Sequence, residues 1–167
     1  MTWTLGFYKG DLWPDETGVG VSNGGYLDTG ADLAGVIHEI FDPAVSSYEG
    51  GTDHVIYRKI FARNEDTSGM EDVGVFLHNA KYPGMLTIAL EKAGGDTGTD
   101  AFSFPAGYSG EDFVEADGQA NALSKTLGGA DLITGDDIGI WVRLDVPAGL
   151  QEADPNVPIN LVVIGNR

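Results

Sequence analysis

His54-Val55-Ile56-Tyr57-Arg58-Lys59-Ile60-Phe61-Ala62-Arg63-Asn64 is dense in β-branched and aromatic residues, the side chains that fit a pleated, half-buried surface. It reads as a strand, and Asn64 opens a polar turn through Glu65, Asp66, Thr67, Ser68 and Gly69. Val73 to His78 follows as its partner. Met85-Leu86-Thr87-Ile88-Ala89-Leu90 reads as a third strand, bounded by Pro83-Gly84 and Gly94-Gly95. Further on, the alternation from Ile138 to Val146 turns Ile138, Ile140, Val142, Leu144 and Val146 inward, with Trp141, Arg143 and Asp145 outward. Ile159 to Ile164 is apolar on both faces and is expected to be central or covered.

Towards the N-terminus, Trp3-Thr4-Leu5-Gly6-Phe7-Tyr8 gives a first strand. Residues 9–30, with Pro14 and glycines at 18, 20, 24 and 25, are expected to form a long glycine-rich loop or arm. Asp32 to Phe41 fits either a helix capped by Asp32 or a bulged strand. Phe102-Ser103-Phe104 is a short strand candidate in a loop-like run. Six or seven strands without alternating helices predict an all-β chain, a single antiparallel β-sandwich of jelly-roll or Ig-like type, with residues 1–167 as one domain.

Composition narrows the partners. Asp and Glu total 26 against 9 Lys and Arg, a formal net charge of −17. Such a surface repels phosphates and anionic lipids, so neither nucleic acid nor membrane is expected as a partner. No run approaches the roughly 20 apolar residues that span a bilayer. The start, Met1-Thr2-Trp3-Thr4-Leu5, lacks the basic and apolar regions of a signal peptide. The absence of cysteine excludes disulfides and thiol catalysis.

The chemical motifs are sparse. His38, His54 and His78 lack the spacing of a helical metal site. The serines are assigned no nucleophile elbow, and Gly107-Tyr108-Ser109-Gly110 lacks both the spacing and the strand-to-helix turn. Acidic neighbours such as Glu111-Asp112 point apart on extended backbone, unlike a glycosidase pair. The expectation is therefore no catalytic residue, no cofactor and no metal, with cation binding by surface acids left open. Loop aromatics, among them Trp13 and Tyr26, suit a protein interface better than a sugar site.

Several blocks carry a likeness: Ile40-Phe41-Asp42, Glu49-Gly50-Gly51-Thr52, Tyr57 to Asn64, Val73-Gly74-Val75-Phe76-Leu77, Ile140 to Gly149, and Leu161 to Gly165. Together they resemble a group of small virion-associated proteins of tailed phages and related prophages, in scattered blocks over residues 37–165. The resemblance implies a non-enzymatic structural protein located in the virion, homo-oligomeric and bound to the major capsid protein or other virion proteins. Capsid decoration (a cement role) is the leading expectation. A tail or baseplate component is the alternative, and a carbohydrate-binding module the alternative of another class. The candidate interface residues are Trp13, Tyr26, Arg58 and Arg63. The competing reading of the two arginines is that their stems lie over the core.

Overall fold

The computed structural model describes residues 4–13, 22–33, 54–78, 85–100, 102–124, 132–146 and 160–166. Among these residues the chain forms nine strands: β1 (Leu5–Leu12), β2 (Asn23–Asp32), β3 (His54–Asn64), β4 (Glu71–His78), β5 (Leu86–Leu90), β6 (Thr97–Gly98), β7 (Leu123–Ser124), β8 (Asp137–Val146) and β9 (Asn160–Asn166). They build a six-stranded sheet, in the order β5-β8-β3-β1-β2-β6, and a three-stranded sheet, β7-β4-β9. Every strand pairing is antiparallel, and the two sheets pack together as a β-sandwich, as expected.

β3 organises the larger sheet. It pairs with β8 from His54↔Val146 to Arg63↔Asp137 and with β1 from Leu5↔Asn64 to Lys9↔Ile60. Side chains alternate across a strand, so Ile56, Ile60 and Ala62 share one face. With Ile138, Ile140 and Val142 of β8 they meet Val75 and Leu77 of the smaller sheet in the main core. Residues 114–118 tie the sheets together along one side. Val114 exchanges backbone hydrogen bonds with Ile88 at the β5 edge, and Leu77 of β4 donates to Ala116 O at 2.8 Å and accepts from Gly118 N at 2.9 Å.

The opposite face of the larger sheet is also covered. Tyr57 and Ala89 lie there with Trp141, under Tyr108 and Phe113 from the segment that follows β5. Trp141, expected to face outward, has no exposed surface. Arg143 and Asp145 pair with each other at 2.8 Å, half-buried, with the Arg143 guanidinium 5.6 Å from the Phe104 ring. Alternation located the two faces of β8 correctly but was silent on what a distant loop lays over the second one.

Four further expectations are corrected. Val73 to His78, expected as the partner of β3, belongs to β4 in the smaller sheet and pairs with β7 and β9, while β3 pairs with β1 and β8. The proposed arm, residues 9–30, contains the end of β1 and most of β2, while residues 14–21 lie outside the described residues. Register shifts between Tyr8↔Asp32, Gly10↔Leu27 and Leu12↔Gly24 let this glycine-rich stretch pair although its alternation is broken. Phe102-Ser103-Phe104 forms turn and irregular backbone, not a strand. β9 pairs with β4 alone among the described residues, so it is not central, but it is partly covered, with Leu161 to Ile164 half-buried against the core. Of the ambiguous Asp32–Phe41 segment, Asp32 ends β2 and Leu33 is buried, its N–H donating to Phe7 O at 2.8 Å; the remainder lies outside the described residues.

Asn64 is the polar pin of the β3 exit. Its Nδ2 donates to Ser68 O and to Leu132 O, both at 2.8 Å, and its Oδ1 accepts from Asp66 N at 2.9 Å. The residue is fully buried, so removing its amide strands groups that water cannot reach. Asn64→Ala is expected to cost about 1–3 kcal/mol, read as a lower urea midpoint with an unchanged slope.

Candidate functional site

Among the described residues, a cluster of buried and half-buried ionisable groups lies on the second face of the six-stranded sheet. Lys59 sits there because β3 alternation places it between Tyr57 and Phe61, and because β3 is flanked on both sides by strands. Its side chain has no exposed surface. Lys59 Nζ is 2.6 Å from Asp96 Oδ1 and 3.0 Å from Glu91 Oε2, and it donates to Gly25 O at 3.0 Å. Glu91 immediately follows β5 and Asp96 immediately precedes β6, so the turn between them closes over the ammonium group. The rings of Phe61 and Trp141 complete the enclosure, with centroids 4.8 and 5.8 Å from Nζ.

Each carboxylate is held from behind. Asp96 Oδ1 also accepts from Trp141 Nε1 at 3.1 Å. Asp96 Oδ2 accepts from the Tyr108 hydroxyl and, at 3.2 Å, from Lys92 N. Glu91 Oε1 accepts from Gly139 N at 3.1 Å, while Oε2 faces Lys59 as an ion-pair partner. Two glycines make room. A Cβ on Gly139 would stand 2.5 Å from Glu91 Oε2 and 2.8 Å from Lys59 Cε. Gly24 has φ +101°, and a Cβ there would stand 2.7 Å from the Trp141 ring and from Asp96 O.

The electrostatics follow from burial and partners. Burial pushes the Asp96 carboxyl upward, but the hydrogen bonds from Lys59, Tyr108 and Trp141, with the Lys59 charge, outweigh it and hold the group below the ordinary carboxylate value. Burial is also the main reason that the Tyr108 hydroxyl is pushed well above its ordinary 10.0, helped by its hydrogen bond to Asp96 and the Asp96 charge. A folded value above the unfolded one means that stability from Tyr108 is complete below pH 10.0 and is lost as pH rises through the folded value. Stability should therefore fall above about pH 10, and less steeply in Tyr108→Phe, as read from urea midpoints along an alkaline series.

The sequence-derived interface residues do not form one patch. Arg58 is buried, at 1% exposure, on the core-facing side of β3, and its guanidinium lies 5.8 Å from the half-buried Trp13 ring, over which Lys9 also sits at 4.9 Å. Within this chain Arg58 is thus an internal residue, neither a surface group nor a stem that lies over the core with its head in water. Arg63 is half-buried at the far end of β3, with Nη2 beside the Gly135 turn. The two arginines stand five positions apart on the strand, roughly 17 Å. Tyr26 is 65% exposed and rests its ring against Gly95. His78 is exposed at the end of β4, His38 lies outside the described residues, and His54 opens β3. No group of three His, Asp or Glu side chains poised to hold a metal occurs among the described residues.

Sequence reasoning did not link Lys59 to Glu91 or Asp96. The available signal was a lysine flanked by Tyr57 and Phe61 on a strand with apolar residues on both faces. It also passed over Gly20-Val21-Ser22-Asn23-Gly24, which has G-x-S-x-G spacing. There Ser22 leads into strand β2, not into the strand-to-helix turn that presents a nucleophile. No family model, curated protein or solved structure matches the chain.

Proposed function

We propose that this chain is a virion structural protein of a tailed virus, a capsid decoration protein that oligomerises and binds the major capsid protein from outside. The observation that carries the reading is how charge is divided between interior and surface. Two of the three cations of β3, Arg58 and Lys59, are buried, whereas Asp28, Glu65, Glu71, Asp72 and Glu111 are exposed. The outer surface is thus acidic, punctuated by single apolar side chains such as Tyr26 at 65% and Ile133 at 57% exposure. A rigid sandwich with such a surface suits docking onto a basic lattice face with aromatic anchors, and electrostatic docking of this kind weakens with salt. The likeness of the β3 and β8 blocks to virion-associated proteins points the same way.

Mass-spectrometric counting on purified particles tests the proposal. Decoration predicts many copies, in proportion to the major capsid protein, and partial release in high salt. A handful of copies indicates the tail or baseplate alternative, and absence from particles ends the virion reading. Carbohydrate binding predicts that a host polysaccharide quenches tryptophan fluorescence and that Tyr26→Ala abolishes the effect.

A further inference from the structure

The Lys59 cluster has the composition and geometry of a reaction centre as well as of an ion pair. We propose that Lys59 Nζ and Asp96 Cγ condense into an intramolecular amide bond, with Glu91 carrying the proton. The inference is independent of the virion reading, because it rests only on groups inside the sandwich.

The nucleophile and the acyl group are already in contact, with Nζ 2.6 Å from Asp96 Oδ1. Holding reactants at this separation removes the entropic part of a condensation that is negligible between free amines and acids in water. Lys59 is fully buried and Asp96 is 9% exposed, so the water that would favour hydrolysis and solvate the ions is largely excluded. The ion pair and its hydrogen bonds favour the charged carboxylate, so the initial proton transfer from Nζ to Asp96 is the uphill part of the step. The two Asp96 oxygens are differentiated. Oδ2 takes hydrogen bonds from the Tyr108 hydroxyl and from Lys92 N, a ready oxyanion site. Oδ1 faces the ammonium. Glu91 Oε2, 3.0 Å from Nζ, supplies the base.

The step balances without a further reactant. One ammonium proton passes to Asp96 Oδ1, giving the amine and the carboxylic acid. The Nζ lone pair forms the Nζ–Cγ bond, and the carbonyl π pair moves onto Oδ2. Glu91 takes a second proton from Nζ and returns it to Oδ1. The Oδ2 pair re-forms the carbonyl, and the Cγ–Oδ1 bond breaks with its electrons leaving on a water molecule. The third proton stays on the amide nitrogen, which donates a hydrogen bond to Gly25 O, 3.0 Å from Nζ. Glu91 ends as it began. The product links β3 to the β5–β6 turn across 37 positions of sequence.

Intact mass measurement of the full-length chain under denaturing conditions tests the proposal. The expected result is a mass about 18 Da below that of the sequence, one water. A tryptic digest should then contain no cleavage after Lys59, and a branched peptide joining the segments around residues 59 and 96. Glu91→Gln, Asp96→Ala and Lys59→Arg should each show their full sequence mass; Glu91→Gln, checked for native circular dichroism, separates loss of the reaction from loss of the fold. Full mass for the folded wild-type chain after prolonged incubation, with free cleavage after Lys59, would overturn the proposal. A water loss that maps instead to Asp117-Gly118, where an Asp-Gly pair can cyclise on its own, would overturn it equally.

Discussion

Lys59→Met is expected to lower the free energy of unfolding by about 3–5 kcal/mol, the cost of breaking a buried ion pair from one side. Methionine nearly fills the lysine volume, so the loss is electrostatic and not a cavity effect. Glu91 and Asp96 would then face each other in a site that admits little water, with 16% and 9% of their side chains exposed. Gly25 O would also lose its donor. The loss is larger still in any preparation where Lys59 and Asp96 are covalently joined. Charge balance is tested by adding Glu91→Gln and Asp96→Asn to Lys59→Met. The triple variant should recover much of the stability, because an entirely neutral cluster carries no uncompensated charge. Urea unfolding followed by circular dichroism measures both, and a Lys59→Met midpoint equal to that of wild type would show that the cluster does not depend on its cation.

Trp141→Ala is expected to cost about 3–5 kcal/mol, the range for removing a large aromatic from a packed interior. Trp141 is fully buried, meets Tyr108 edge-on at a centroid distance of 6.1 Å, and lies against the backbone of Gly24. Its removal opens a cavity between the β2 edge, the Lys59 cluster and the Tyr108 loop. It also deletes the indole donor to Asp96 Oδ1. Trp141→Phe separates the two effects, since it keeps most of the ring and loses only the N–H and part of the volume. Phe should recover a large part of the Ala loss. If Ala and Phe were equally unstable, the hydrogen bond to Asp96 and not the packing would dominate at this position.

Alternation and composition along the chain determined most of the framework. β3 was legible to the residue, from His54 to Asn64, because β-branched and aromatic side chains are concentrated there and the turn residues that follow stop it. The faces of β8 and the polar exit at Asn64 were legible for the same reason: both are local patterns. The β1–β2 pair was not, since its glycines and register shifts erase the period-two signal on which strand recognition depends.

What lies over the second face of the six-stranded sheet was decided only in three dimensions. Trp141 and Lys59 each carry a polar group, which argues for solvent when a strand is read alone. Their burial depends on a partner 45 and 37 positions away, in both cases Asp96. A linear pattern reports whether a side chain prefers water, but whether a polar group can leave water depends on which donors and acceptors the folded chain brings to it. For this protein the sequence alone determined where most of the longer strands lie, and the tertiary structure alone determined how they divide between two sheets and that a lysine, an aspartate and a glutamate share one nearly dry site.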